Sequence, residues 1–134
     1  MGRISRLSEK LSKKEFDRYM DERGQGWGSA PGEDGIFNGV WKKCKHMRDE
    51  LWKKIKEWEE KGMQDGVKDA LIFMLRKDEA VVETPLKVRP IALCNSAYKV
   101  FTGMITVRLK NVMQKFVKID QKGFIADRYI LENV

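Results

Sequence analysis

The 134-residue sequence predicts a small α+β fold, three helices with an antiparallel β-hairpin between the second and the third. Three observations predict it. Apolar residues recur at helical spacing through two long segments, 36–61 and 96–118. Between them lies a continuous apolar run, 69–75 (DALIFML), of strand length. A second short segment, 87–93 (KVRPIAL), alternates with a period of two.

Each element follows from its own residues. Segment 9–23 reads as a short amphipathic helix with Leu11, Phe16, Tyr19 and Met20 on a partial apolar face. Segment 24–35 (GQGWGSAPGEDG) holds five of the 11 glycines and one of the three prolines, and predicts a loop. Asp34 stands where a carboxylate can cap the next helix. That helix, 36–61, carries Ile36, Phe37, Val40, Trp41, Met47, Leu51, Ile55 and Trp58 on one stripe, a Lys/Glu-rich face opposite, and Gly62 at its end. Trp52 falls off the stripe and is expected partly exposed.

The run 69–75 predicts a buried strand, joined by the polar link 76–86, with its Pro85, to the strand 87–93. Together they form a hairpin over 69–93. Pro90 has no N–H to donate, so it belongs at an edge or a bulge. Asn95 or Ser96 can cap the last helix, 96–118. Its stripe is Tyr98, Phe101, Ile105, Leu109, Val112 and Phe116, widened by Val100, Met104 and Val107, and is expected to pack against Trp41, Leu51 or Ile55. Arg108, Asn111, Lys115 and Lys118 make a separate basic face. A connection around Gly123 leads to 129–134 (YILENV), which reads as a helix just starting. A chain stopping inside that apolar segment predicts a domain cut short.

Charge narrows the function. The chain has 27 basic and 20 acidic residues, net +7. Residues 87–134 hold nine basic and three acidic residues, net +6, against +1 for residues 1–86. Such asymmetry points to a polyanion partner, nucleic acid above all, or to a solubilising surface. No apolar run reaches the roughly 18 residues of a membrane span, and MGRISRLSEKLSKK lacks the apolar core of a secretory signal. Two cysteines, Cys44 and Cys94, are too few for a disulfide scaffold, so an intracellular protein of cytoplasm or nucleus is expected.

Several motifs fail on spacing. Gly24, Gly26 and Gly28 follow no strand and precede no G-K-[ST]. Cys44-Lys45-His46 has no second ligand pair, so no metal site is expected. The pairs Asp49/Glu50 and Glu59/Glu60 lie on a lysine-rich helix face, where pairing along the helix accounts for them.

Four segments in order carry a family pattern: Ala30-Pro31-Gly32-Glu33-Asp34-Gly35-Ile36; Val88-Arg89-Pro90-Ile91-Ala92-Leu93-Cys94-Asn95; Tyr98-Lys99 with Arg108-Leu109; and Gln121-Lys122-Gly123-Phe124 with Arg128. The chain resembles the N-terminal, fingers-side part of a reverse transcriptase of the non-LTR (LINE-like) retrotransposon family. Group II intron reverse transcriptases are the nearest alternative. Glu33, Val88 and Asp127 depart from the residues common in that family.

The resemblance covers roughly residues 10–134 and implies that residues 1–134 are the N-terminal part, the fingers and start of the palm, of a right-hand polymerase, cut off before the rest of the palm. It implies an RNA-directed DNA polymerase whose partners are an RNA template, a DNA primer, a deoxynucleoside triphosphate, and the palm and thumb of the same enzyme, with no membrane. Arg89, Lys77 and Arg76 would bind the nucleotide. Lys87, Lys99, Arg108, Lys115, Gln121 and Arg128 would contact nucleic acid. Pro31, Gly32, Asp34, Gly35, Pro90, Gly123 and Phe124 would shape the backbone. The Mg²⁺ ions of the complete enzyme would sit on palm aspartates that lie after Val134, so the 134 residues alone would bind but not polymerise. A non-catalytic nucleic-acid-binding module derived from such an element, and a helical interaction domain using the 36–61 face, are the alternatives.

Overall fold

A computed structural model of the chain describes residues 5–22, 29–77, 87–113, 116–118 and 121. The architecture is α+β. Its elements are α1 (Ser5–Ser8), α2 (Lys13–Glu22), α3 (Asn38–Lys43), α4 (Lys45–Lys61), β1 (Ala70–Arg76), β2 (Val88–Cys94) and α5 (Ser96–Met113). The helices enclose one core of Leu11, Phe16, Tyr19, Met20, Trp41, Leu51, Ile55, Trp58, Val100 and Met104. The two strands pair antiparallel, from Ala70↔Cys94 to Arg76↔Val88.

The predicted 9–23 helix starts later, at Lys13, because Ser12 caps it. The Glu15 N–H donates to Ser12 Oγ at 3.3 Å, and Ser12 N–H donates to Glu15 Oε2 at 2.9 Å. This reciprocal pair is a capping box, and its S-x-x-E signature is present in the sequence. Leu11 is buried just outside the helix, tied down by its N–H to Glu59 Oε1 at 2.6 Å.

The predicted 36–61 helix is two helices. The backbone is extended at Cys44, φ −101° and ψ 99°, and a second helix begins at Lys45. The reason lies in the apolar spacing. Trp41 to Met47 is six residues, which falls out of phase with a 3.6 period, and the break restores the phase. Trp41 and the Leu51–Ile55–Trp58 stripe thereby reach one core. Asp34 does not cap the helix. Its Oδ1 accepts from the Ile36 N–H at 3.0 Å in an Asx turn, and the residue preceding α3 is Phe37. Gly62 ends α4 as expected, at φ 80°. Trp52 is half-buried and stacks on Phe16, ring centres 5.3 Å apart.

The hairpin forms where expected, but it is not buried. Leu71, Ile72, Phe73, Met74 and Leu75 are 38–60% exposed. Successive strand residues point to opposite faces, so apolar side chains meet solvent on both. Run length and hydrophobicity identify a strand; what covers it depends on packing among the other elements. Residues 78–86, with Pro85, lie outside the described residues.

The last helix also turns a different face inward than its strongest stripe predicts. The widening residues Val100 and Met104 are buried with Ser96, and of the stripe itself Val112 is buried and Phe101 packs on the core, whereas Ile105, Leu109 and Phe116 are exposed. Phe101 alone of the predicted stripe makes a ring contact, edge-on to Trp58 at 5.9 Å. Small residues decide the choice. Ser96 is 1% exposed and accepts the Trp41 indole N–H at 2.8 Å. Gly103 abuts Tyr19 so closely that a Cβ there would lie 2.0 Å from the phenol oxygen and 2.6 Å from Cζ. Only the face bearing Ser96 and Gly103 lets α5 approach α2 and α3 this closely.

Gly103→Ala tests that approach by its sign. Glycine to alanine inside a helix ordinarily stabilises by about 0.5–1 kcal/mol. Here it should destabilise by about 1–3 kcal/mol in urea unfolding, because the core is already full. Adding Tyr19→Phe should recover part of the loss, since the phenol oxygen is the nearest obstacle.

Candidate nucleic-acid interface

Three of the four segments that carry the resemblance converge on the turn between β2 and α5. The loop residue Gly32 lies against Asn95, where a Cβ would come within 2.4–2.6 Å of Asn95 and the Cys94 carbonyl carbon. Any larger residue would push the loop off. Pro31 precedes this contact, and the Gly35 N–H closes a turn onto the Gly32 carbonyl at 3.1 Å, with Gly35 at φ 66°. Asn95 is the hub: its Oδ1 accepts from the Asp34 N–H at 3.2 Å, and its Nδ2 faces the carbonyls of Gly66 and Val67 at 3.4 and 3.5 Å. Its side chain therefore ties two other loops to this turn rather than capping α5; only its carbonyl joins the helix, accepting from the Lys99 N–H. Lys99 Nζ donates to the Ala30 carbonyl at 3.3 Å. Asn95 and Lys99 thus hold the Pro31–Gly35 loop from two sides.

The hairpin rises from this junction and carries cations at its far end. Lys77 N–H donates to the Lys87 carbonyl at 2.9 Å, and Leu75 pairs with Arg89. Residues directly opposite share a face, so Arg89, Lys77 and Lys87 stand on one face of the tip and Arg76, opposite Val88, on the other. Arg76, Lys77 and Arg89 are exposed and Lys87 is half-buried. The ion pairs of the described residues run through α2, α4 and α5 and reach none of Arg76, Lys87 and Arg89. A concentration of positive charge on an exposed strand end suits an anion with several oxygens.

Pro90 pairs with Met74. Hydrogen-bonded and non-hydrogen-bonded pairs alternate along an antiparallel ladder. With 77/87 hydrogen-bonded, the 74/90 pair is not, and the Pro90 nitrogen faces away from β1. The proline sits at an edge position and costs the hairpin no bond.

Arg108 is differently placed. Its side chain is 13% exposed and forks onto Glu15, Nη2 to Oε2 at 2.7 Å and Nε to Oε1 at 2.9 Å, while its remaining donors reach the carbonyls of Glu9 and Lys10. It staples α5 to the start of α2, beside a groove of about 540 Å³ lined by both signs of charge, including Lys14, Arg18 and Glu22. A phosphate contact at Arg108 would have to displace that staple. Arg48 makes a second such clamp, onto Asp17 and Asp21 at 3.0 Å each. The Ser12–Glu15 signature marked one end of the first clamp; nothing in the spacing paired it with Arg108, 93 residues away.

Gln121 is exposed just after the last turn, its N–H donating to the Lys118 carbonyl at 3.1 Å. Lys115, Gly123, Phe124 and Arg128 lie outside the described residues. Among the described residues no three His, Cys, Asp or Glu side chains converge. No described helix is long and apolar enough to cross a membrane. No protein-family model matches the chain, and no curated protein matches it.

The Arg108 guanidinium, with help from Ser12, holds the Glu15 carboxyl down at about 2, from an ordinary 4.5. A depressed carboxyl stabilises the fold above its unfolded value, and that stabilisation fades as pH falls toward the folded value. Urea titrations between about pH 4.5 and about pH 2 should therefore show the native chain losing more stability than Glu15→Gln. Because the Glu15 side chain is 41% exposed, solvent screening should hold the difference to about 1 kcal/mol.

Proposed function

We propose that this chain is the fingers-side part of an RNA-directed DNA polymerase of the non-LTR retrotransposon type, and that its hairpin tip receives the triphosphate of the incoming nucleotide. The observation that carries the reading is the grouping of Arg89, Lys77 and Lys87 on one face at the tip. Arg89 acts as the fork, bonding two phosphate oxygens at once, with the lysines as point charges beside it. The convergence of three motif segments on Asn95 supports the same reading, because it makes them one mechanical unit that sets the hairpin's root. Gln121 would meet the template–primer, while Lys99 would act through its hold on the Pro31–Gly35 loop and Arg108 through its hold on α2.

By the resemblance the catalytic aspartates belong to the palm, so the role assigned to this part is binding and orientation. On a primed RNA template with Mg²⁺, the purified chain should incorporate no nucleotide. It should bind an RNA–DNA duplex with an affinity that falls as salt rises.

The sharper test is Arg89→Ala, read by calorimetric titration with a deoxynucleoside triphosphate. Losing a bidentate, charge-assisted contact should weaken binding roughly 10- to 150-fold. Stability should stay within about ±0.5 kcal/mol, as for other exposed side chains. Arg89→Lys should restore only part, because an ammonium lacks the fork. An unchanged nucleotide affinity in folded Arg89→Ala would remove the residue from the nucleotide site. Duplex binding without any triphosphate binding would leave the non-catalytic module.

A further inference from the structure

We propose that two copies of this chain pair through the outer edge of β1, joining their hairpins into one four-stranded antiparallel sheet. The two edges of the hairpin are not equivalent. The outward-facing backbone groups of β2 are interrupted at Pro90, which has no N–H to offer. Those of β1 belong to Ala70, Ile72, Met74 and Arg76, an unbroken row with no proline and a register free of bulges. Edge strands in proteins that remain single are commonly blunted by inward charge, proline or a bulge, and β1 has none of these between Ala70 and Leu75.

The sequence of β1 selects its own copy as the occupant. A two-fold axis at Phe73 sets Phe73 against Phe73 of the second copy, Leu71 against Leu75, and Ile72 against Met74. In that register Arg76 falls opposite Ala70, so no like charges oppose each other. One step beyond each end, the exposed Asp69 falls opposite Lys77 of the second copy, an ion pair formed twice by symmetry. The outward row at Ile72 and Met74 supplies the new hydrogen bonds, so the Phe73 pair is a close, non-hydrogen-bonded one. Edge pairing covers the backbone row and the flanks of Leu71 to Leu75, which are 38–60% exposed in one copy. A lone two-stranded hairpin is marginal in water, and four strands relieve that.

The test uses the whole chain. Sedimentation over a concentration series should show a monomer–dimer equilibrium in the micromolar range. Ile72→Pro copies the Pro90 device onto the outer edge of β1 at a position outside the hairpin's own ladder bonds, and should weaken the dimer about tenfold or more with helical circular dichroism unchanged. Asp69→Lys should also weaken it, and Asp69→Lys with Lys77→Asp should restore it. With Cys44 and Cys94 replaced by serine, Phe73→Cys should oxidise to a covalent dimer, because a non-hydrogen-bonded antiparallel pair has Cα atoms about 4.5 Å apart, within disulfide reach. Leu75→Cys, whose opposite residue is Leu71, should not. A chain monomeric at every concentration overturns the proposal. So does a dimer indifferent to Ile72→Pro, which would use another surface, or one cross-linked equally by both cysteines, which would use another register.

Discussion

The arrangement depends on one short turn, Cys94-Asn95-Ser96, where the hairpin ends and α5 begins. Two neighbouring side chains there point to different work. Ser96 accepts the buried Trp41 indole N–H, and Asn95 ties the Pro31–Gly35 loop and the 66–67 turn to the root of the sheet. A buried donor left without a partner costs about 1–3 kcal/mol, so the Trp41–Ser96 bond fixes the rotation of α5 about its axis as well as adding to stability. That rotation turns Val100, Gly103 and Met104 inward and leaves Ile105, Leu109 and Met113 outside. The same turn anchors the hairpin at one end only. Seven residues per strand carry its tip about 20 Å from the anchor at a rise of about 3.4 Å per residue.

How much of this was legible follows from what each element depends on. Strand positions came from run length and alternation, which are local, and Ala70–Arg76 and Val88–Cys94 lie where those signals put them. The α5 face did not follow from periodicity, because that helix is apolar on more than one side. The steps from Tyr98 to Phe116 describe one stripe, and Val100 and Met104 another. The choice between them is steric, made by Gly103 against Tyr19 and by Ser96 against Trp41. The break at Cys44 escapes the stripe reading, which puts Trp41 and Met47 on one face although the six-residue step between them is out of phase. The grouping of Arg89 with Lys77 and Lys87 required the ladder register, which no single segment contains.

The basic excess of the C-terminal third divides by the same geometry. Arg108 faces a carboxylate and two carbonyls at 13% exposure, and Lys99 reaches the Ala30 carbonyl. These are cations of the fold. Moving Arg108 to an outside phosphate would exchange one set of charge-assisted bonds for another and leave Glu15 without its partner, so the net gain is small. Arg89, and Arg76 on the facing strand, lie beyond the reach of the described ion pairs. Counting lysines and arginines along the sequence finds both groups alike. Only the second is placed to meet a partner without loosening the helices.

The hairpin is amphipathic along its length rather than across its faces. An ordinary half-buried strand alternates, with one face apolar and the other polar. Here residues 70–75 are apolar on both faces, and charge begins at Arg76, Lys77, Lys87 and Arg89. A strand of that pattern has a root that gains from being enclosed and a tip that gains from water or an anion. At about 25 cal/mol per Å², the order of 500 Å² left exposed along β1 represents roughly 12 kcal/mol of unrealised burial, an upper bound because unfolded chains also bury surface. That exceeds what any single contact in the helical core contributes. Enclosing the root draws in Lys77, opposite Asp69 of the second copy, and leaves Arg89, on the inner strand, outside the new interface. Covering of the strand and binding at its end are therefore separable, and a substitution in Ile72 or Met74 acts on the first while Arg89 acts on the second.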